Sequence, residues 1–198
     1  MKKTLALLAA TVLLLTAGCR VQVDKNSNGA DKNENVKIDT PFGGLHVRSG
    51  QTTAADVGLP VYPGATIAPD RHGDKSADVH MGFGSFQLMV KVVNYETSDP
   101  ADKVLAFYQK ALGRYGDVIR CKDDSPVGTP TITSEGLTCS DDYSHTHVQV
   151  SGNLSLKAGS KHHQHVVAVE DRNGLETRFA LIELQLPESI DQNAPKSQ

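Results

Sequence analysis

Asp99-Pro100-Ala101-Asp102-Lys103-Val104-Leu105-Ala106-Phe107-Tyr108, continuing through Ala111-Leu112 to Tyr115-Gly116, carries the clearest helix signals in this chain. Asp99 can cap the first free amides. Pro100 suits the first helical position, and Asp102 favours the positive end of the helix dipole. Val104, Leu105, Tyr108, Ala111, Leu112 and Tyr115 then recur at helical spacing, and Gly116 is placed to stop the helix. A helix with one apolar stripe needs a surface to cover, and the segments around it read as strands. From Phe86, positions 86, 88, 90 and 92 are apolar while Gln87 and Lys91 lie on the other face. Val79, Met81 and Phe83 alternate in the same way. His165–Glu170 and Glu176–Leu186 flank Asp171-Arg172-Asn173-Gly174, a hairpin signal. Weaker strand signals fall at Asp117–Lys122, Gly136–Cys139, His145–Val150 and Asn153–Leu156. One helix and roughly seven strands predict an α+β domain: one amphipathic helix on a mainly antiparallel sheet, with a flexible N-terminal tether.

Outside this core, Leu59-Pro60-Val61-Tyr62-Pro63-Gly64-Ala65 reads as an extended entry segment, because its prolines remove amide donors. Upstream, Val36–Asp39 and Leu45–Arg48 flank Thr40-Pro41-Phe42-Gly43-Gly44, a short hairpin that needs to dock on something larger. Between Arg20 and Asn35 the chain is polar and asparagine-rich, the composition of a spacer. The expected organisation is therefore a leader over 1–18, a linker over 19–35, a hairpin arm and loop over 36–58, an α+β domain over 59–187 and a disordered tail over 188–198.

The leader decides destination. Lys2 and Lys3 precede the apolar run Leu5–Leu15, which is far short of the roughly 20 residues of a spanning helix. Leu15-Thr16-Ala17-Gly18-Cys19 follows and resembles the lipobox of bacterial lipoproteins, with Thr16 where the family usually has Leu. The resemblance implies cleavage before Cys19, lipidation of its thiol, and a membrane anchor of more than one acyl chain. Arg20, rather than Asp, after the cysteine implies the outer membrane, facing the periplasm, where the source has two membranes. The pairing of Tyr62-Pro63-Gly64-Ala65 with Phe107-Tyr108 also resembles uncharacterised exported bacterial proteins with a YPGA segment and an FY helix. That resemblance covers roughly Leu59 to Leu186 and implies no reaction or ligand.

Composition narrows the function classes. There are 20 Lys and Arg against 23 Asp and Glu, a formal charge of −3, and tryptophan is absent. Neither a basic phosphate-binding surface nor an aromatic platform for nucleic acid is expected. Cys121 and Cys139, the two cysteines left beside Cys19, read as a structural disulfide in an oxidising envelope. Their spacing fits neither C-x-x-C nor a zinc ribbon.

Histidines are the other concentration of chemistry. His145 and His147 share one strand face, as do His163 and His165, because side chains two apart in a strand point the same way. If those strands paired, the four imidazoles would suit zinc or a similar divalent metal, with Asp141 and Asp142 able to add oxygen. The neighbouring Ser, Lys and Gln instead favour a solvated face. Gly82-Phe83-Gly84-Ser85-Phe86 is neither a nucleophile elbow nor a dinucleotide loop, and no catalytic residues stand out. The expected function is a membrane-anchored envelope lipoprotein with a non-catalytic domain for an unknown envelope partner or ligand. The alternatives are a histidine-dependent metal-binding lipoprotein and an envelope hydrolase.

Overall fold

The computed structural model describes residues 19–26, 33–69, 73–140, 154–171 and 176–187. The leader 1–18, the turn at Asn173-Gly174, the tail 188–198 and the segment holding His145 and His147 lie outside them.

The described chain builds one sheet of eleven strands. These are β1 (Arg20–Asn26), β2 (Asn33–Thr40), β3 (Gly43–Ser49), β4 (Thr66–Ile67), β5 (Ser76–Phe83), β6 (Phe86–Thr97), β7 (Ile119–Lys122), β8 (Ser125–Pro126), β9 (Leu154–Gly159), β10 (His163–Asp171) and β11 (Thr177–Gln185). Their order is β1-β2-β3-β5-β6-β11-β10-β9-β7-β8, with β4 paired beside β5 on the same edge of β6, and each described pairing is antiparallel. Helix α1 (Ala101–Leu112) ends in a single 3-10 turn, Gly113–Tyr115.

The α+β expectation is corrected here: among the described residues the protein is nearly all antiparallel sheet, with one short helix. The difference arises mostly at the N-terminus, where the polar stretch 19–35, read as a flexible linker, forms β1 and the first residues of β2, ahead of the Val36–Asp39 strand that the hairpin reading expected. Burial is not what holds them. Val21, Gln22, Val23 and Asp24 pair residue by residue with Ile38, Lys37, Val36 and Asn35, so backbone hydrogen bonding offsets the entropy that composition alone could not. The period-two signal of Val36/Ile38 was read as a strand, while that of Val21/Val23 is short and sits in an asparagine-rich stretch.

Helix α1 covers the inner face of β9 and β10. Val104, Leu105, Tyr108 and Leu112 are buried there against Val93, Leu156, Val167, Phe179 and Leu181. Asp99 does not cap the helix. Pro100 holds the cap position without a side-chain bond, while the Asp99 carboxylate accepts from Tyr62 Oη at 2.8 Å and Lys103 Nζ at 3.0 Å. Tyr62 thus packs edge-on to Phe107, and Tyr108 Oη donates to Pro60 O at 3.0 Å. The YPGA and FY segments meet as core packing. The stretch 52–58, read as loop, also closes this core through buried Ala54 and Val57, next to Leu59 of the entry segment. At the opposite end of the sheet, Cys121 and Cys139 are bridged, with Cα atoms 5.6 Å apart, beside buried Ile119.

Candidate functional site: a polar band on the inner face

Below the helix, the inner face changes character. Leu181 and Val167 lie under α1, but two residues along each strand the register sets Arg48, Asp78, Lys91, Glu183 and His165 side by side across five strands. The next row runs Lys37, His46, His80, Met89, Gln185, His163. Opposite charges alternate along the first row, a favourable cross-strand pattern. Arg48 lies 3.8 Å from Asp78, and Lys91 Nζ lies 3.0 Å from Glu183 Oε2.

His163, His165 and Glu183 converge at the C-terminal end of this band. One ligand atom from each lies within 4.8 Å of the others. His163 Nε2 is 2.9 Å from Glu183 Oε1. His165 is buried, contrary to a wholly solvated face, because the 54–58 segment and Tyr115 close over it. Its ring stacks on Tyr115 with centroids 3.6 Å apart, and its Nδ1 lies 3.1 Å from Val57 O. A carbonyl only accepts, so Nδ1 carries the proton and Nε2 keeps the lone pair. Burial pushes the His165 pKa below its ordinary value, against the raising effect of the Glu183 carboxylate. Burial works to raise Glu183, but hydrogen bonds from His163 and Lys91 outweigh it and hold the carboxyl below its ordinary range.

Two imidazoles, one with its tautomer set by a backbone carbonyl, and a carboxylate held ionised form a donor set suited to zinc or a similar borderline metal. Ligand atoms around a tetrahedral zinc stand ~3.3 Å apart. His163 Nε2 and Glu183 Oε1, now 2.9 Å apart, would open slightly to admit the ion. Lys91 occupies Glu183 Oε2, which leaves Oε1 as the carboxylate atom that would meet a metal.

A cavity of about 310 Å³ adjoins this group, with Asp39, His46, His80, Gln87, Met89 and Gln185 among its lining residues. His46 Nε2 lies 3.2 Å from Asp39 Oδ1, and His80 Nε2 lies 2.7 Å from Asp78 Oδ1.

Of the four histidines named as candidate metal ligands, the structure joins His163 and His165; His145 and His147 lie outside the described residues. Glu183 and Lys91 escaped the sequence reading. Their signal was weak: each is a single charge within a mostly apolar run, Leu88–Val93 and Phe179–Leu186, and only the register of β6, β11 and β10 brings them to the histidines. No family model matches the chain, and neither the curated proteins nor the solved structures contain a match.

Proposed function

We propose that this protein is a lipid-anchored lipoprotein of the cell envelope whose β-sheet domain is a non-catalytic binding module, with a divalent transition metal as its ligand. The observation that supports metal binding is the convergence of His163, His165 and Glu183 within 4.8 Å, with His165 oriented by Val57 O. The metal would replace the proton shared between His163 and Glu183. Anchoring rests on the Cys19 motif, and it places the domain on the periplasmic side of the outer membrane where there are two membranes.

Untagged protein, freed of metal and then loaded with zinc, should retain about one ion per chain through gel filtration. His163→Ala and Glu183→Ala should each abolish retention, and His46→Ala should not. Protein that retains no zinc, or retains it equally in all variants, overturns the metal reading. Anchoring has its own test: Cys19→Ala should accumulate as uncleaved precursor, and normal processing of that variant defeats it.

A second reading takes the neighbouring 310 Å³ cavity as the seat of a polar envelope ligand, favoured by the two imidazoles and two carboxylates beside it.

A further inference from the structure

The same strands that present charge on the inner face present hydrocarbon on the outer one. Val21, Ile38, Leu45, Met81 and Leu88 stand in one continuous cross-strand row. A second row runs from Val23 to Leu184 through the valines at 36, 47, 79 and 90. Neither row contains a polar side chain. Five strands at ~4.8 Å spacing make this face ~20 Å wide, broader than the scattered apolar residues of an ordinary surface. Val21 is 61% exposed and Val23 49%, and Phe83 at the margin is 45% exposed. Among the described residues no helix lies on this face. Toward β11 and β10 the face is covered, with Leu184, Ile182, Val166 and Ala168 buried, and beyond them Lys157 Nζ donates to Cys139 O at 3.0 Å.

Two observations say what covers it. The first is continuity with the lipid attachment point. Cys19 is exposed and directly precedes β1, and strand alternation sets it on the side of Val21 and Val23. No spacer separates the acylated residue from the sheet, so a chain anchored there holds the apolar rows at the bilayer surface. The second is composition. The rows hold aliphatic side chains and methionine, without the Tyr, Trp and Arg that dominate protein-protein contacts. We infer that the outer face of β1, β2, β3, β5 and β6 is a membrane-docking surface that lies on the bilayer in which Cys19 is anchored. This inference rests on the anchoring part of the proposed function and not on the metal. Docking this way turns the His163/His165/Glu183 face toward the aqueous compartment.

Leu88 and Gln87 are consecutive but point to opposite faces, and both lie four strands from β1. A single thiol introduced by Leu88→Cys or by Gln87→Cys can carry an environment-sensitive fluorophore, because Cys121 and Cys139 are bridged and Cys19 is acylated. The mature protein is reconstituted in phosphatidylethanolamine-phosphatidylglycerol vesicles containing chain-brominated lipid. Quenching should be at least five-fold stronger at position 88 than at 87. Phe83→Cys, at an already exposed site, provides a second outer-face reporter should the first variant fold poorly, and it should be quenched like position 88. Equal quenching on both faces overturns the docking surface. So does energy transfer between differently labelled copies at 88 without bromine quenching, which would make a second copy the occupant. The mass of the N-terminal peptide is read separately. Unmodified Cys19 overturns the anchoring reading, whereas acylated protein with equal quenching overturns the docking face alone.

Discussion

Lys91 and Glu183 stand directly opposite one another on β6 and β11, with Nζ 3.0 Å from Oε2, in the row that ends at His165. Both are mostly shielded, with side chains 21% and 12% exposed. Removing one partner leaves the other charge partly desolvated, while removing both does not. Lys91→Met and Glu183→Gln should each destabilise the protein, and the double variant should be more stable than the sum predicts by about 1–2 kcal/mol. Chemical denaturation of the four proteins measures this coupling. Strict additivity would mean that the pair contributes nothing. Lys91→Met should also tighten zinc binding several-fold, because it removes a cation from beside the carboxylate ligand.

The disulfide gives a second prediction. Cys121 and Cys139 close a loop on the edge of the sheet where β7 pairs only short β8 and β9. The bridge restricts the unfolded chain, so reduction, or Cys121→Ser with Cys139→Ser, should cost about 3 kcal/mol. The urea midpoint of oxidised and reduced protein checks it; coincident midpoints would show that the bridge constrains nothing.

How much of this was legible in the chain follows from the range of the forces involved. Helix α1 is specified locally, by its apolar stripe and by Pro100 at its start, so its position could be read within a few residues. Its cap could not, because Asp99 is drawn away by Tyr62, which lies 37 residues earlier. Strand β1 and the first residues of β2 were missed because they are held by backbone pairing with neighbours rather than by their own hydrophobicity, whereas Val36–Asp39 was read as half of a hairpin. That omission is what turned a nearly all-β sheet into an expected α+β domain. In the candidate site, the shared face of His163 and His165 follows from period-two alternation alone. Glu183 joins them through register, and register depends on pairings between distant segments.

A pH dependence follows from Asp117. Ser134 donates to its Oδ2 from both Oγ, at 2.6 Å, and the backbone amide, at 2.9 Å, tying the 127–140 loop to the chain just after the helix. These bonds hold the Asp117 pKa below 3.8. A carboxyl lowered in the folded state stabilises it at pH values above 3.8, and that stabilisation is lost as pH falls through the lower folded value. Asp117→Asn should therefore be less stable than the parent at pH 6, with the gap closing below pH 3.8. A gap that stays constant down to acid unfolding would show that the carboxylate is not its source.

Gly58 is where backbone conformation and the histidine site meet. Its φ of +78° lies in the left-handed region, and its carbonyl accepts from Tyr115 Oη at 2.6 Å and from the Arg114 guanidinium. A methyl group here would fall 2.5 Å from Tyr115 Oη and 3.6 Å from His165 Cε1, so the tyrosine ring stacked on His165 would have to move. Gly64 provides the control, since it has the same φ of +78° but nothing within 4 Å of the added carbon. Gly64→Ala should incur only the left-handed strain of about 1 kcal/mol and leave zinc binding unchanged. Gly58→Ala should incur that strain together with the displaced Tyr115, about 2–3 kcal/mol in all, and weaken zinc binding at least ten-fold. Thermal unfolding and zinc titration of the two variants separate the effects. If Gly58→Ala matches Gly64→Ala in both measurements, Tyr115 is not what holds His165 in place.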